Sequence, residues 1–148
     1  MARLISPLSI IILVAGGIYY FYFFGAKTNF GYVNISGQQY MVEVADTDEE
    51  RTLGLQNRDE IGEAQGMLFV FNKPGFYSFW MKDVRFPLDF VWVNNGRVIY
   101  INESVPVASN GYYPSYAPPE PVTHVVEFAA GRVLRDNIKV GDEVAFDI

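Results

Sequence analysis

The stretch FWMKDVRFPLDFVWV, residues 79–93, sets charges between large apolar side chains in a way that an ordinary buried strand does not. Trp80, Phe86, Phe90 and Trp92 alone would suit a core, but Lys82, Asp83, Arg85 and Asp89 stand among them and Pro87 interrupts. A small-molecule pocket needs aromatic walls and a few convergent polar groups, so Trp80, Lys82, Asp83 and Asp89 form a candidate ligand cluster. Glu127, in the apolar run VTHVVEFA, joins it. If buried, Glu127 needs a partner, and Lys82 or Arg132 are the candidates. Asp89 and Glu127 together supply the two carboxyl groups that glycoside hydrolysis requires, although such pairs are too common to be specific.

A structural reading competes and is preferred. Strand alternation puts Phe79, Met81 and Asp83 on one side and Trp80, Lys82 and Val84 on the other. Lys82 can lay its methylenes along Trp80 with its ammonium in water. Asp83 can bond turn amides near Arg85, bracing the connection at Phe86 and Pro87. His124 is the single histidine. A Ser-His-Asp arrangement would draw on Ser104, Ser109 or Ser115 with Asp83 or Asp89, yet no Gly-x-Ser-x-Gly elbow supports it. The expectation is a strand histidine bonded to a backbone carbonyl. With no cysteine and no histidine pair, no metal site, cofactor or thiol chemistry is expected.

The elements that would position these residues are short strands. Of 148 residues, 50 % are hydrophobic and 16 % aromatic, which excludes disorder and supports one sizeable core. FGYVNISGQQYMVEVAD reads as a hairpin turning at Ser36-Gly37. Thr47 with Glu50 three positions on is a capping-box pattern that opens a short helix. GMLFVF reads as a strand closed by a turn at Asn72–Gly75, and Asn94-Asn95-Gly96 as a hairpin into RVIYINESV. PVASNGYYPSYAPPEP is an irregular loop, followed by the strand VTHVVEFA and the final strand in VGDEVAFDI. The expected fold is mainly β (α+β): a compact, antiparallel, barrel-like sheet with one or two short helices.

Residues 1–29 read differently. Leu4 to Phe24 is free of charge over 21 positions, and about 20 apolar residues span a hydrocarbon layer as a helix. The run is too long for a signal-peptide core, and Phe24 stands where a cleavage site needs a small residue. The expectation is an uncleaved N-terminal transmembrane helix with a cytoplasmic N-terminus, and a domain over 30–148 outside, periplasmic in a Gram-negative cell. Tyr20, Phe21, Phe23 and Phe24, above the small residues Gly16 and Gly17, are candidate contacts for membrane partners, lipids or pigments. Tyr112, Tyr113 and Tyr116, on the proline-stiffened loop, are further candidate contacts. The domain holds all 17 acidic residues but, with Arg3 and Lys27 outside it, nine of the 11 basic ones, a net charge of −8. Nucleic acid is a poor partner for it.

In order along the chain, GMLFVF, FWMKDVRFPLDFVWV, VVEFAAG and IKVGDEV resemble the domain of unknown function 192, over about residues 31–148. The resemblance implies a compact, mainly β domain, often secreted or anchored, and implies no reaction. Gln56 departs from it, standing where that family usually has Met. Two functions are expected: a non-catalytic, membrane-anchored accessory subunit of a larger membrane complex, or a tethered small-molecule or carbohydrate-binding module, weakly hydrolytic at most. The first is preferred from the sequence because no catalytic constellation emerges.

Overall fold

The computed structural model describes residues 8–14, 17–23, 29–61 and 65–148, with side chains from residue 29 onward. Within the segment expected to be a membrane helix, the described backbone is extended. Strands β1 (Leu8–Val14) and β2 (Gly17–Phe23) pair antiparallel, from Leu8↔Phe23 to Val14↔Gly17. Isoleucine, valine and aromatics dominate both, and they favour extended backbone. An unbroken apolar run also carries no helical period to oppose that choice. Among the described residues no helix is long and apolar enough to cross a membrane. Of the proposed partner contacts, Gly17, Tyr20, Phe21 and Phe23 fall in β2, whereas Gly16 and Phe24 lie outside the described residues.

The domain is built on a seven-stranded sheet. Its strands are β3 (Asn29–Ile35), β4 (Gln38–Ala45), β5 (Gly66–Gly75), β7 (Leu88–Asn94), β8 (Arg97–Val105), β10 (Val122–Ala129) and β11 (Val144–Asp147), in the spatial order β11-β3-β4-β5-β10-β7-β8. Every pairing is antiparallel except β4 with β5. The sheet curls until its two edges meet at the bridge Arg97↔Glu143, where the Val98 amide donates to the Asp142 carbonyl at 3.0 Å. Among the described residues, the mainly β, half-barrel fold with two short helices follows the sequence expectation, and the parallel β4–β5 pair departs from the antiparallel sheet expected.

The local signals act where turn chemistry is decisive. Ser36 and Gly37 both take positive φ (48° and 88°), as do Asn95 and Gly96 (49° and 66°). That backbone twist matches the strands that each pair joins. Helix α1 (Asp48–Leu53) opens with the reciprocal capping box: the Glu50 amide donates to Thr47 Oγ1 and the Thr47 amide to the Glu50 carboxylate. Two expectations shift. Asn72–Gly75 prolongs β5 instead of ending it, and only β6 (Phe79–Trp80) of the expected strand FYSFWMKDV is extended, paired with β9 (Ser115–Tyr116). Asp83, at φ 56°, turns the chain out of a strand path.

Alternation divides the core into two layers. One face of the sheet carries Val33, Tyr40, Val42, Leu68, Val91, Val126 and Phe128, packed with Val133 of helix α2 (Arg132–Asp136). The other carries Met67, Phe69, Phe90, Trp92 and Val125, covered by Leu55, Ile61 and Met81 from the connections. The candidate site lies on this second face.

Candidate functional site

β5 presents Phe69 and Phe71 on the second face, because Met67, Phe69 and Phe71 alternate with Leu68 and Val70. Tyr77 stacks on Phe71 with ring centroids 3.5 Å apart, and Phe79 meets Phe69 edge-on at 4.8 Å. These rings and Trp80 wall a cavity of about 670 Å³, closed on another side by α1 and Gly54–Gln56. Asn72 and Lys73 complete its rim, and Glu127 of β10 reaches it from the sheet.

Arg51 fixes α1 over this space. Its guanidinium donates to the Val70 carbonyl at 2.7 Å and to Asp48 at 2.6 Å, and lies 5.5 Å from the centre of the Phe71 ring. A buried stem, a paired head and an aromatic face together make it a clamp between helix and strand. Gln56, at the position where the resemblance leads one to expect Met, caps the helix end by donating to the Thr52 carbonyl at 2.7 Å and lines the cavity.

Glu127 is 5 % exposed, opposite Met67 on one side and Phe90 on the other. Neither expected partner reaches it: Lys82 Nζ lies 5.4 Å over the Trp80 ring, and Arg132 pairs with Asp136 at 3.4 Å. Its carboxyl has no hydrogen-bond partner among the described residues, and burial pushes it up to about 8. A second carboxylate on this face, Glu43, pairs across β5 with the same Met67 and is held by Arg58 at 2.6 Å.

Asp89 belongs elsewhere. It is fully buried on the first face, where one carboxylate oxygen accepts from the Ser104 amide at 2.8 Å and the other from the Val133 amide at 2.9 Å. It thus ties β7 to the end of β8 and to the start of α2. Asp83 offers its carbonyl to the Asn57 amide at 2.8 Å, while Arg85 pairs with Asp59 at 2.9 Å and not with Asp83. Lys82, Asp83 and Asp89 are therefore not brought together, and a glycosidase-type pair of Asp89 with Glu127 is ruled out by their opposite faces.

His124 is held by a side chain instead of the expected backbone carbonyl: Nδ1 lies 2.9 Å from Thr123 Oγ1, and the ring stacks on Phe146 at 4.1 Å. Burial lowers its pKa. Ser115 Oγ bonds Ser78 Oγ and the Ser104 amide serves Asp89, and among the described residues neither a serine nor a carboxylate hydrogen-bonds the histidine. Among the described residues no three His, Asp or Glu side chains could hold a metal. Tyr112 and Tyr113 stand exposed on the loop, 73 % and 40 %, whereas Tyr116 packs edge-on against Phe90 at 5.7 Å.

Sequence reasoning found Trp80 and Glu127 of this cavity and missed Arg51, Phe69, Phe71, Tyr77 and Phe79. The alternation in GMLFVF was a usable signal for the two β5 rings. Arg51 and Tyr77 carried none, because their partners are chosen by the packing of α1 and the 76–80 segment.

Two solved structures share the fold. A candidate transcription regulator from Sinorhizobium meliloti 1021 aligns with TM-score 0.72 and 29 % identity, over 80 % of this chain and 95 % of its own. A protein of unknown function from Novosphingobium aromaticivorans DSM 12444 aligns with TM-score 0.73 and 28 % identity, over 83 % and 89 %. No curated protein matches. The family model of domain of unknown function 192, described as an uncharacterized ACR, matches residues 31–146, and the chain belongs to that family.

Proposed function

We propose that the domain is a non-catalytic binding module for a small ligand that enters the cavity between α1 and the sheet. The observation that carries this is the conjunction of five aromatic walls (Phe69, Phe71, Tyr77, Phe79 and Trp80) with a buried carboxyl that no described residue pairs. About 670 Å³ is also within the usual range for small-molecule sites. Asp48, the other carboxylate lining the cavity, is held by Arg51 at 2.6 Å, which argues for binding over the paired-acid chemistry of hydrolysis.

The chain has two tryptophans, one exposed at the cavity and one fully buried, so Trp80 emission reports on occupancy. A library of small aromatic and sugar ligands should yield compounds that change this emission. Thr52→Phe, which fills the cavity from the exposed side of α1, should abolish those responses. Hits unaffected by that substitution would place binding elsewhere.

The charge-free run over residues 4–24 favours a second, compatible reading, in which the module is tethered to a membrane and presents exposed Tyr112 and Tyr113 to integral partners. Carbonate extraction tests the tether; release of the chain into the soluble fraction would remove it.

A further inference from the structure

We infer that the cavity takes a ligand bearing a cationic nitrogen, a protonated amine or an amidinium, seated on Glu127 and enclosed by the aromatic walls. This rests on the binding-module reading and names its ligand class.

Glu43 and Glu127 make the case by comparison. Both are buried glutamates on one face of the sheet, in register with the same Met67 from opposite sides. Glu43 has its cation, the Arg58 guanidinium at 2.6 Å. Glu127 has none among the described residues, and it opens into the cavity. A buried carboxyl left alone is costly, and a donor or cation satisfies it.

The cations already nearby are committed or remote. Arg51 spends its guanidinium on Asp48 and the Val70 carbonyl, and Lys73 sits exposed at the rim. A cation supplied by a ligand would meet the electron-rich faces of the walls, which favour positive charge. The chain's net charge of −6 draws cations toward it. A neutral hydrogen-bond donor would satisfy Glu127 in part but would gain nothing from the charge or the rings.

A proton accompanies the binding. The free protein holds Glu127 protonated up to about pH 8, and an ammonium ligand pairs with the carboxylate, so that proton is released on binding. Affinity for a permanently charged probe should therefore rise with pH up to about 8 and then level off.

The experiment compares benzylammonium with benzyl alcohol, which share shape and differ in the head group, on the full-length chain in detergent, with empty micelles as the blank. Amide chemical shifts at Gly54, Phe69 and Glu127 report on the cavity. Benzylammonium should bind about tenfold or more tightly than the alcohol at pH 8. Glu127→Gln should erase that preference. In the unsubstituted chain, the affinity of benzyltrimethylammonium should climb between pH 6 and 8 and that of the alcohol should not. Equal binding of amine and alcohol, with no pH dependence, would overturn the cation inference and leave the cavity reading standing. Binding of neither probe at these amides would overturn both.

Discussion

Asp89 and Glu127 are one register step apart across the β7–β10 ladder and face opposite sides of the sheet. Glu127 pairs with Phe90, and Asp89 with Phe128. Two carboxyl groups near one another in the ladder thus serve different layers. Asp89 is satisfied by two amides, and Glu127 is open to a cavity. Their roles should separate cleanly by mutation.

Asp89→Asn keeps the shape but turns an amide donor toward a backbone amide that needs an acceptor. The expected loss is about 1–3 kcal/mol, read from urea unfolding. Probe binding at the cavity should be unchanged, because the substitution acts on the other face. A matching loss of probe affinity would mean the two carboxyl groups communicate.

Glu127 should make the free protein less stable as pH rises. Burial raises its folded value to about 8 from an ordinary 4.5. The unfolded chain gives up the proton first, so between pH 4.5 and 8 the unfolded state binds fewer protons and stability falls. The slope is at most about 1.4 kcal/mol per pH unit. Glu127→Gln removes this contribution. Its melting temperature should exceed that of the unsubstituted chain at pH 8, and the two should converge near pH 4.5. Parallel curves across that range would show that Glu127 does not titrate there.

Gly66 opens β5 in register with Phe128 of β10. A Cβ there would lie 2.7 Å from the Glu127 carbonyl oxygen and 2.9 Å from Phe128 Cδ1. The first of these is backbone and cannot swing aside. Gly66→Ala should cost about 1–3 kcal/mol and shift the Glu127 and Phe128 amide resonances. A variant of unchanged melting temperature would mean that β10 yields freely.

Asp83 tests whether the charges of the 79–89 stretch brace it through their side chains. Its backbone sits at φ 56°, a conformation that glycine adopts without strain. Asp83→Gly should match or exceed the unsubstituted chain in thermal stability, whereas Asp83→Ala should lose about 1 kcal/mol to left-handed strain. Lys82→Ala should cost less than about 1 kcal/mol, since it removes only an exposed contact with Trp80. If Asp83→Gly fell as far as Asp83→Ala, a side-chain bond would be responsible.

What the sequence determined by itself was local. Ser36-Gly37 and Asn95-Gly96 turn because their own backbones accept positive φ, and Thr47 and Glu50 form the capping box because they stand three positions apart. Neighbouring residues settle such features, so they are legible before any fold is known. Alternation also foretold that strands would carry two faces. Tertiary structure alone decided which face each carboxyl would join and which cation it would receive. Arg58 reaches Glu43 across 15 residues, Asp89 reaches Val133 across 44, and Glu127 is left to the cavity. Those outcomes depend on the registers of β5, β7 and β10, and a slip of one residue would reverse every face. Registers are set by the packing of distant segments together, which no single stretch of the chain encodes.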